Sequence, residues 1–227
     1  MESMLIDEFY NGVMMAAQAM SIWEVLGVLL GFAYLALAMN QNILCWYAAF
    51  GSTAIFSWLF WDVSLFMESA LNVYYLLMAV YGWWVWRGKA KSDLGSNLQL
   101  ENDLASSVAI KTWSLSRHGL IIGGVVLISL ATGYGLEKNT SAALPYLDSF
   151  TTWGAVVTTY MVAQKVLENW AYWLVIDTIA IYLYVDRELY LLALQMVIYI
   201  VMITMGWLMW TKEYRQQNDT ASSAVAA

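Results

Sequence analysis

The chain has 227 residues, 61% of them hydrophobic and only 12% charged, with a mean hydropathy of +0.59 and a net charge of −7. A soluble domain carries charge on roughly a quarter of its residues, so this composition excludes one and predicts an integral membrane protein. The negative charge lies mostly in loops and tails, identifies no charged partner and gives no reason to expect nucleic acid. One cysteine, Cys45, permits no internal disulfide and leaves the redox compartment open.

Taken in order, residues 1–21 alternate apolar and polar side chains at helical spacing and carry Glu2, Asp7 and Glu8, which predicts an N-terminal interfacial helix. The start has no basic n-region, so no cleaved signal is expected. Seven apolar segments of about 17 to 22 residues follow, each long enough to cross a bilayer core of about 30 Å. They run over about 22–39, 43–61, 65–86, 118–136, 149–165, 169–185 and 189–210. Very short loops, Asn40-Gln41-Asn42 and Asp62-Val63-Ser64, join the first three into an antiparallel bundle. After Trp86 the composition turns polar, and 87–117 reads as a connector whose part from Asn97 to Ser116 is expected to lie as a short surface helix. The fourth span, 118–136, carries Gly119, Gly123, Gly124, Gly133 and Gly135, and a small, polar mobile tail is expected over 211–227.

The last span of each triplet ends alike. Tyr81-Gly82-Trp83-Trp84-Val85-Trp86 returns as Met205-Gly206-Trp207-Leu208-Met209-Trp210, an offset of 207 − 83 = 124 positions. The same offset pairs Trp46 with Trp170, Leu59 with Leu183, Asp62 with Asp186, Tyr75 with Tyr199 and Met78 with Met202. This is the signature of two copies of one unit in the same order, 22–86 and 149–210. The fold class predicted is therefore an all-α membrane protein of seven transmembrane helices in a 3+1+3 parallel-repeat arrangement. The span between the copies supplies the odd crossing that gives both the same orientation. Arg87, Lys89, Lys91, Lys111, Arg117, Lys165, Lys212 and Arg215 fall on one side and Lys138 and Arg187 on the other, eight against two. The bias places the N-terminus outside and the C-terminus in the cytoplasm.

Chemistry-bearing residues collect on helix faces. At 100° per residue, Asn72, Tyr75, Trp83 and Trp86 share an arc of about 80°; Tyr199, Trp207 and Trp210 form the matching stripe, with Gln195 beside it. For Trp86 and Trp210, next to Arg87 and Lys212, an interfacial anchor stands as an equal reading. Asn72 and Gln195 lie deeper, where an amide facing lipid would go unsatisfied, so both are expected to face protein or water. In the sixth span Asn169, Trp170, Trp173, Asp177 and Tyr184 share an arc of about 100°, with Gln164 a turn earlier. Asp177 falls near mid-membrane, where an ionised carboxylate costs on the order of 2.5–3.5 kcal/mol. An interhelical hydrogen bond would satisfy it. So would a cavity walled by aromatic rings, suited to a flat aromatic or cationic solute.

These residues carry a family resemblance. Asn72-x-x-Tyr75 with Gly82-Trp83-x-x-Trp86, the run Glu168-Asn169-Trp170-x-x-Trp173-x-x-x-Asp177, and the terminal Gly206-Trp207-x-x-Trp210 resemble the PnuC family of bacterial nicotinamide riboside transporters, over all seven spans. The resemblance implies a SWEET-like architecture and a homotrimer in the lipid of the inner membrane, one pore to each protomer. It implies uptake of the riboside by facilitated diffusion, with trapping by cytosolic phosphorylation and no cofactor. On this reading Trp173 and Trp207 flank the pyridinium ring, Asn72, Gln164 and Asn169 bond carboxamide or ribose, and Asp177 lowers the cost of bringing a cation to the midplane. Thiamine and riboflavin are the alternative cargoes. A membrane enzyme or an assembly subunit is the alternative class; the lack of a nucleophile–base pair, metal cluster or phosphate loop weakens the enzyme, and Asp177 amid Trp and amide side chains, which packing does not need, weakens the subunit.

Other features read as structural. His118 lies alone at a span edge, Cys45 as a small core residue, Gly27 and Gly31 as a close-packing pair, and Glu24 as interfacial. Asp62 and Asp186 sit at short turns and are expected to cap helices.

Overall fold

A computed structural model describes residues 2–62, 66–93, 109–140 and 144–226. They form eight α-helices: α1 (Glu2–Ala19), α2 (Ile22–Met39), α3 (Cys45–Asp62), α4 (Phe66–Asp93), α5 (Leu115–Asn139), α6 (Pro145–Ala163), α7 (Asn169–Asp186) and α8 (Tyr190–Ala226). The protein is an all-α membrane protein. The stretches Ile22–Met39, Leu115–Asn139 and Tyr190–Thr220 are long and apolar enough to cross a bilayer, with hydropathies of 2.0, 1.9 and 2.1. The other expected spans hold more Trp, Tyr and Thr, which lowers their hydropathy.

Local chemistry sets the helix ends. Ser21 caps α2 in a reciprocal box: its Oγ accepts from Glu24 N at 3.2 Å, and Glu24 Oε2 accepts from Ser21 N at 2.6 Å. Glu24 is thus a cap as well as a boundary residue. Ser114 caps α5, and Pro145 opens α6, where its missing N–H goes unneeded. Asp62 and Asp186 are the last residues of α3 and α7, so they do not act as N-caps; an acid at that end gains nothing from the helix dipole. The helix α8 continues through the stretch expected as a tail. Of the expected surface helix, 97–108 lies outside the described residues, 109–114 is not helical, and Leu115 already belongs to α5.

The chain divides into two compact units. The first comprises residues 1–20, 113–158 and 171–203. In it α1 lies against the start of α8, Phe9 edge-on to Tyr190 at 5.4 Å and Gly12 leaving room for the same ring. Gly133 faces Tyr146 and Gly154 faces Ile176, small residues that let helices approach closely.

The second unit comprises residues 21–112, 159–170 and 204–227. Here α2 and α3 are joined by Ser52 Oγ donating to Gly27 O at 2.8 Å, and α3 and α4 by Ser69 Oγ donating to Ser57 O at 2.7 Å. Positions 124 apart carry matching geometry. Gln41 and Lys165 both turn the chain in the left-handed region, with φ of 54° and 50°. Trp46 meets Trp86 edge-to-face at 5.3 Å, as Trp170 meets Trp210 at 5.3 Å. Gly82 and Gly206 leave the space that the Trp46 and Trp170 rings fill.

Candidate functional site

The longest run of expected site residues lies on α7, where helical spacing aligns Asn169, Trp173, Asp177 and Tyr184. The lower part of this stripe belongs to the first unit. Asp177 is buried, 6% exposed, and accepts no hydrogen bond among the described residues. Tyr184, Tyr199 and Asp177 lie within electrostatic reach of one another, and Gln195 Nε2 donates to Tyr199 Oη at 3.1 Å. Trp173 is half-buried beside them in the sequence of the same helix. The structure therefore gathers Asp177, Tyr184, Gln195 and Tyr199. At the end of α7, Arg187 donates to Asp148 Oδ2 at 2.7 Å, a hydrogen bond that raises the guanidinium pKa further.

The other expected residues belong to the second unit. Asn169 is fully buried; its Nδ2 donates to Val166 O at 2.7 Å, and its Oδ1 has no partner among the described residues. An unsatisfied buried acceptor costs about 1–3 kcal/mol. Trp170 is 1% exposed and packs against Trp210 and Gly206. Gln164 belongs to the α6–α7 turn, where its Oε1 accepts from Lys111 Nζ at 2.9 Å and its Nε2 donates to Tyr81 Oη at 2.6 Å. Trp83 is half-buried, its Nε1 bonded to Tyr47 Oη at 3.0 Å and its ring 4.9 Å beneath the Arg87 guanidinium. Asn72 Nδ2 donates to Glu68 O one turn back at 2.9 Å, Tyr75 lies edge-on to Tyr74, and Trp207 is 38% exposed.

Two expectations change. Trp86 and Trp210 are 0% exposed and bond backbone carbonyls, so neither is an interfacial anchor. Tryptophan prefers an interface because its N–H needs a polar partner; here the protein supplies that partner, and the ring is buried. Lys165, counted above only as a cytoplasmic charge, is also fully buried: its Nζ donates to Gln41 Oε1 at 2.8 Å and sits 4.6 Å over the Trp86 ring. The 124-residue offset that joins this pair was available in the sequence. His118 bonds Tyr172 Oη at 2.8 Å, and among the described residues no group of His, Cys, Asp and Glu could hold a metal ion.

Residues 21–212 match the model of a family described as nicotinamide mononucleotide transporter. The nicotinamide riboside transporter PnuC of Escherichia coli strain K12 is 22% identical, over 88% of this chain and 89% of its own. The riboflavin/roseoflavin transporter RibM of Streptomyces davaonensis is 25% identical, over 70% of this chain and 71% of its own. A crystal structure of the vitamin B3 transporter PnuC superposes with a TM-score of 0.68 at 18% identity, covering 93% of this chain and 90% of that one.

Proposed function

Since the chain belongs to the nicotinamide mononucleotide transporter (PnuC) family, a family of multi-pass inner-membrane carriers rather than enzymes, we propose that its cargo is nicotinamide riboside. The riboside enters by facilitated diffusion as an NAD precursor and is trapped by cytosolic phosphorylation. The observation that carries this reading is Asp177, a buried carboxylate with no hydrogen bond among the described residues, set among tyrosines. A carboxylate in that position is costly without a counter-charge. The permanently cationic pyridinium of the riboside supplies one, and Trp173, a helical turn away, offers a ring for it to stack on. Asn169, whose Oδ1 has no partner among the described residues, is assigned to the carboxamide or ribose.

Charge favours the riboside over the mononucleotide. A phosphate would bring about −1.5 to −2 charges toward Asp177, and Arg187 is already engaged by Asp148. Seven spans in a 3+1+3 order, a SWEET-like architecture, a homotrimer and an outside N-terminus complete the reading. The matched geometry at the 124-residue offset supports the repeat order.

The test is tryptophan fluorescence of the purified protein titrated with nicotinamide riboside, its mononucleotide, thiamine, riboflavin and nicotinamide. Saturable quenching by the riboside alone, lost in Trp173→Ala, is the expected result. Saturation by riboflavin instead would move the cargo to the second reading, which the likeness to RibM favours.

A further inference from the structure

The second unit contains a contact that the transport reading does not use. Trp86 Nε1 donates to Ala163 O at 3.1 Å, and Trp210 Nε1 donates to Ala38 O at 3.2 Å and Met39 O at 3.1 Å. Ala163 and Met39 are the last residues of α6 and α2. The carbonyls of a final helical turn lack partners within the helix, and each indole supplies one. Position by position the two bonds are counterparts: Trp210 lies 124 beyond Trp86, and Ala163 lies 124 beyond Met39. Each copy of the repeated unit thus closes the helix end of the other. Lys165 Nζ, 4.6 Å over the Trp86 ring, holds Gln41 Oε1 at 2.8 Å, and these residues are themselves counterparts 124 apart. All four indoles of the cluster, Trp46, Trp86, Trp170 and Trp210, are at most 2% exposed.

A contact exchanged in this way between two like copies has a mechanical consequence. A rotation that lengthens one Trp–carbonyl bond lengthens its counterpart, so the cluster opens as a whole or stays shut. A fixed helix cap needs no such exchange, since a side chain of the same copy would serve. From this exchange, and resting on the carrier reading, we infer that Trp86 and Trp210, pinned by Lys165 to Gln41, form a latch. The latch shuts the end of the molecule that carries Arg87 and Lys212 and must come apart for cargo to pass that end.

Cys45 reports on the latch without any cargo. It is the only cysteine of the chain, is 0% exposed, and stands next to Trp46 in the same cluster. Its alkylation by a membrane-impermeant maleimide is followed in inside-out and right-side-out vesicles, for the unaltered protein and for Trp86→Phe and Trp210→Phe. Each substitution keeps an aromatic side chain but removes the N–H together with one ring of the indole. A net hydrogen bond of about 0.5–1.5 kcal/mol corresponds to roughly 2- to 13-fold in an opening equilibrium, so alkylation should speed up by that factor in inside-out vesicles only. Lys165→Met, which removes the pin and spares both indoles, should act in the same direction and covers the case in which an indole variant fails to assemble. Unchanged alkylation in all three variants overturns the latch, as does an equal rise from both faces, which would mean general loosening. A protein that fails to bind the riboside yet shows the one-sided rise keeps the latch and loses only the cargo assignment.

Discussion

At Asp177 a single side chain carries the substrate chemistry proposed above. Its carboxylate is buried among Tyr184 and Tyr199 without a hydrogen bond among the described residues, so the charge itself is what the position offers. Asp177→Asn keeps the size and removes the charge. If the carboxylate serves the pyridinium, riboside uptake should fall by at least tenfold while the variant still assembles and keeps its melting temperature in detergent. Retained uptake would show that the acid is structural. Gly82 and Gly206 pose a packing question of the same scale. A Cβ at either would run into the buried ring of Trp46 or Trp170, and overpacking of this kind costs roughly 1–3 kcal/mol. Gly82→Ala and Gly206→Ala should both lower the melting temperature by several degrees, and an unaltered melting curve would mean that the rings have room to move. The sequence exposed these residues unevenly. The polar stripe on α7 was legible because a carboxylate in an apolar helix stands out at once. Burial of Trp86, Trp210 and Lys165 was not, because Trp and Lys near a helix end look the same whether they meet lipid headgroups or another helix.

At the scale of an element, helix starts follow local signals and helix ends depend on what the last carbonyls find. Ser21 and Glu24 show the first case: Ser-x-x-Glu ahead of an apolar run is a cap by chemistry alone. Ser21→Ala should therefore cost about 0.5–2 kcal/mol, read as a lower melting temperature, and Glu24→Ala should cost less in the Ser21→Ala background than alone if both halves of the box act together. The far ends of α2 and α6 show the second case, since indole N–H groups from α8 and α4 donate to their final carbonyls. No local pattern around Met39 or Ala163 announces that. The connector behaves likewise. Lys111 N donates to Lys165 O at 3.0 Å and Leu167 N to Lys111 O at 2.8 Å, a bridge that a polar, low-complexity stretch gives no reason to expect. The length of the apolar runs located the segments, while the turns between them depended on partners distant in sequence.

For the whole molecule the proposed orientation rests on charge bias. Eight Lys and Arg against two lie on the side that carries Arg87, Lys111 and Lys212. Positive loops remain in the cytoplasm during insertion. The proposed orientation makes the side that holds the tryptophan latch the cytoplasmic one. Both charges of the Asp148–Arg187 pair are about a third exposed, so it contributes at most about 1 kcal/mol and leaves the bias decided by the side richer in Lys and Arg. A reporter active only in the cytoplasm should therefore work when fused after Ala227, and one active only in the periplasm should work when fused near Lys138. Seven crossings require opposite results at the two termini, so the same pair of reporters fused ahead of Met1 tests whether the number of spans is odd. Equal activity at both ends would mean an even number of crossings. If the crossing lost lies between the two copies, the second would run antiparallel to the first, whereas an additional crossing by α1 would leave them parallel.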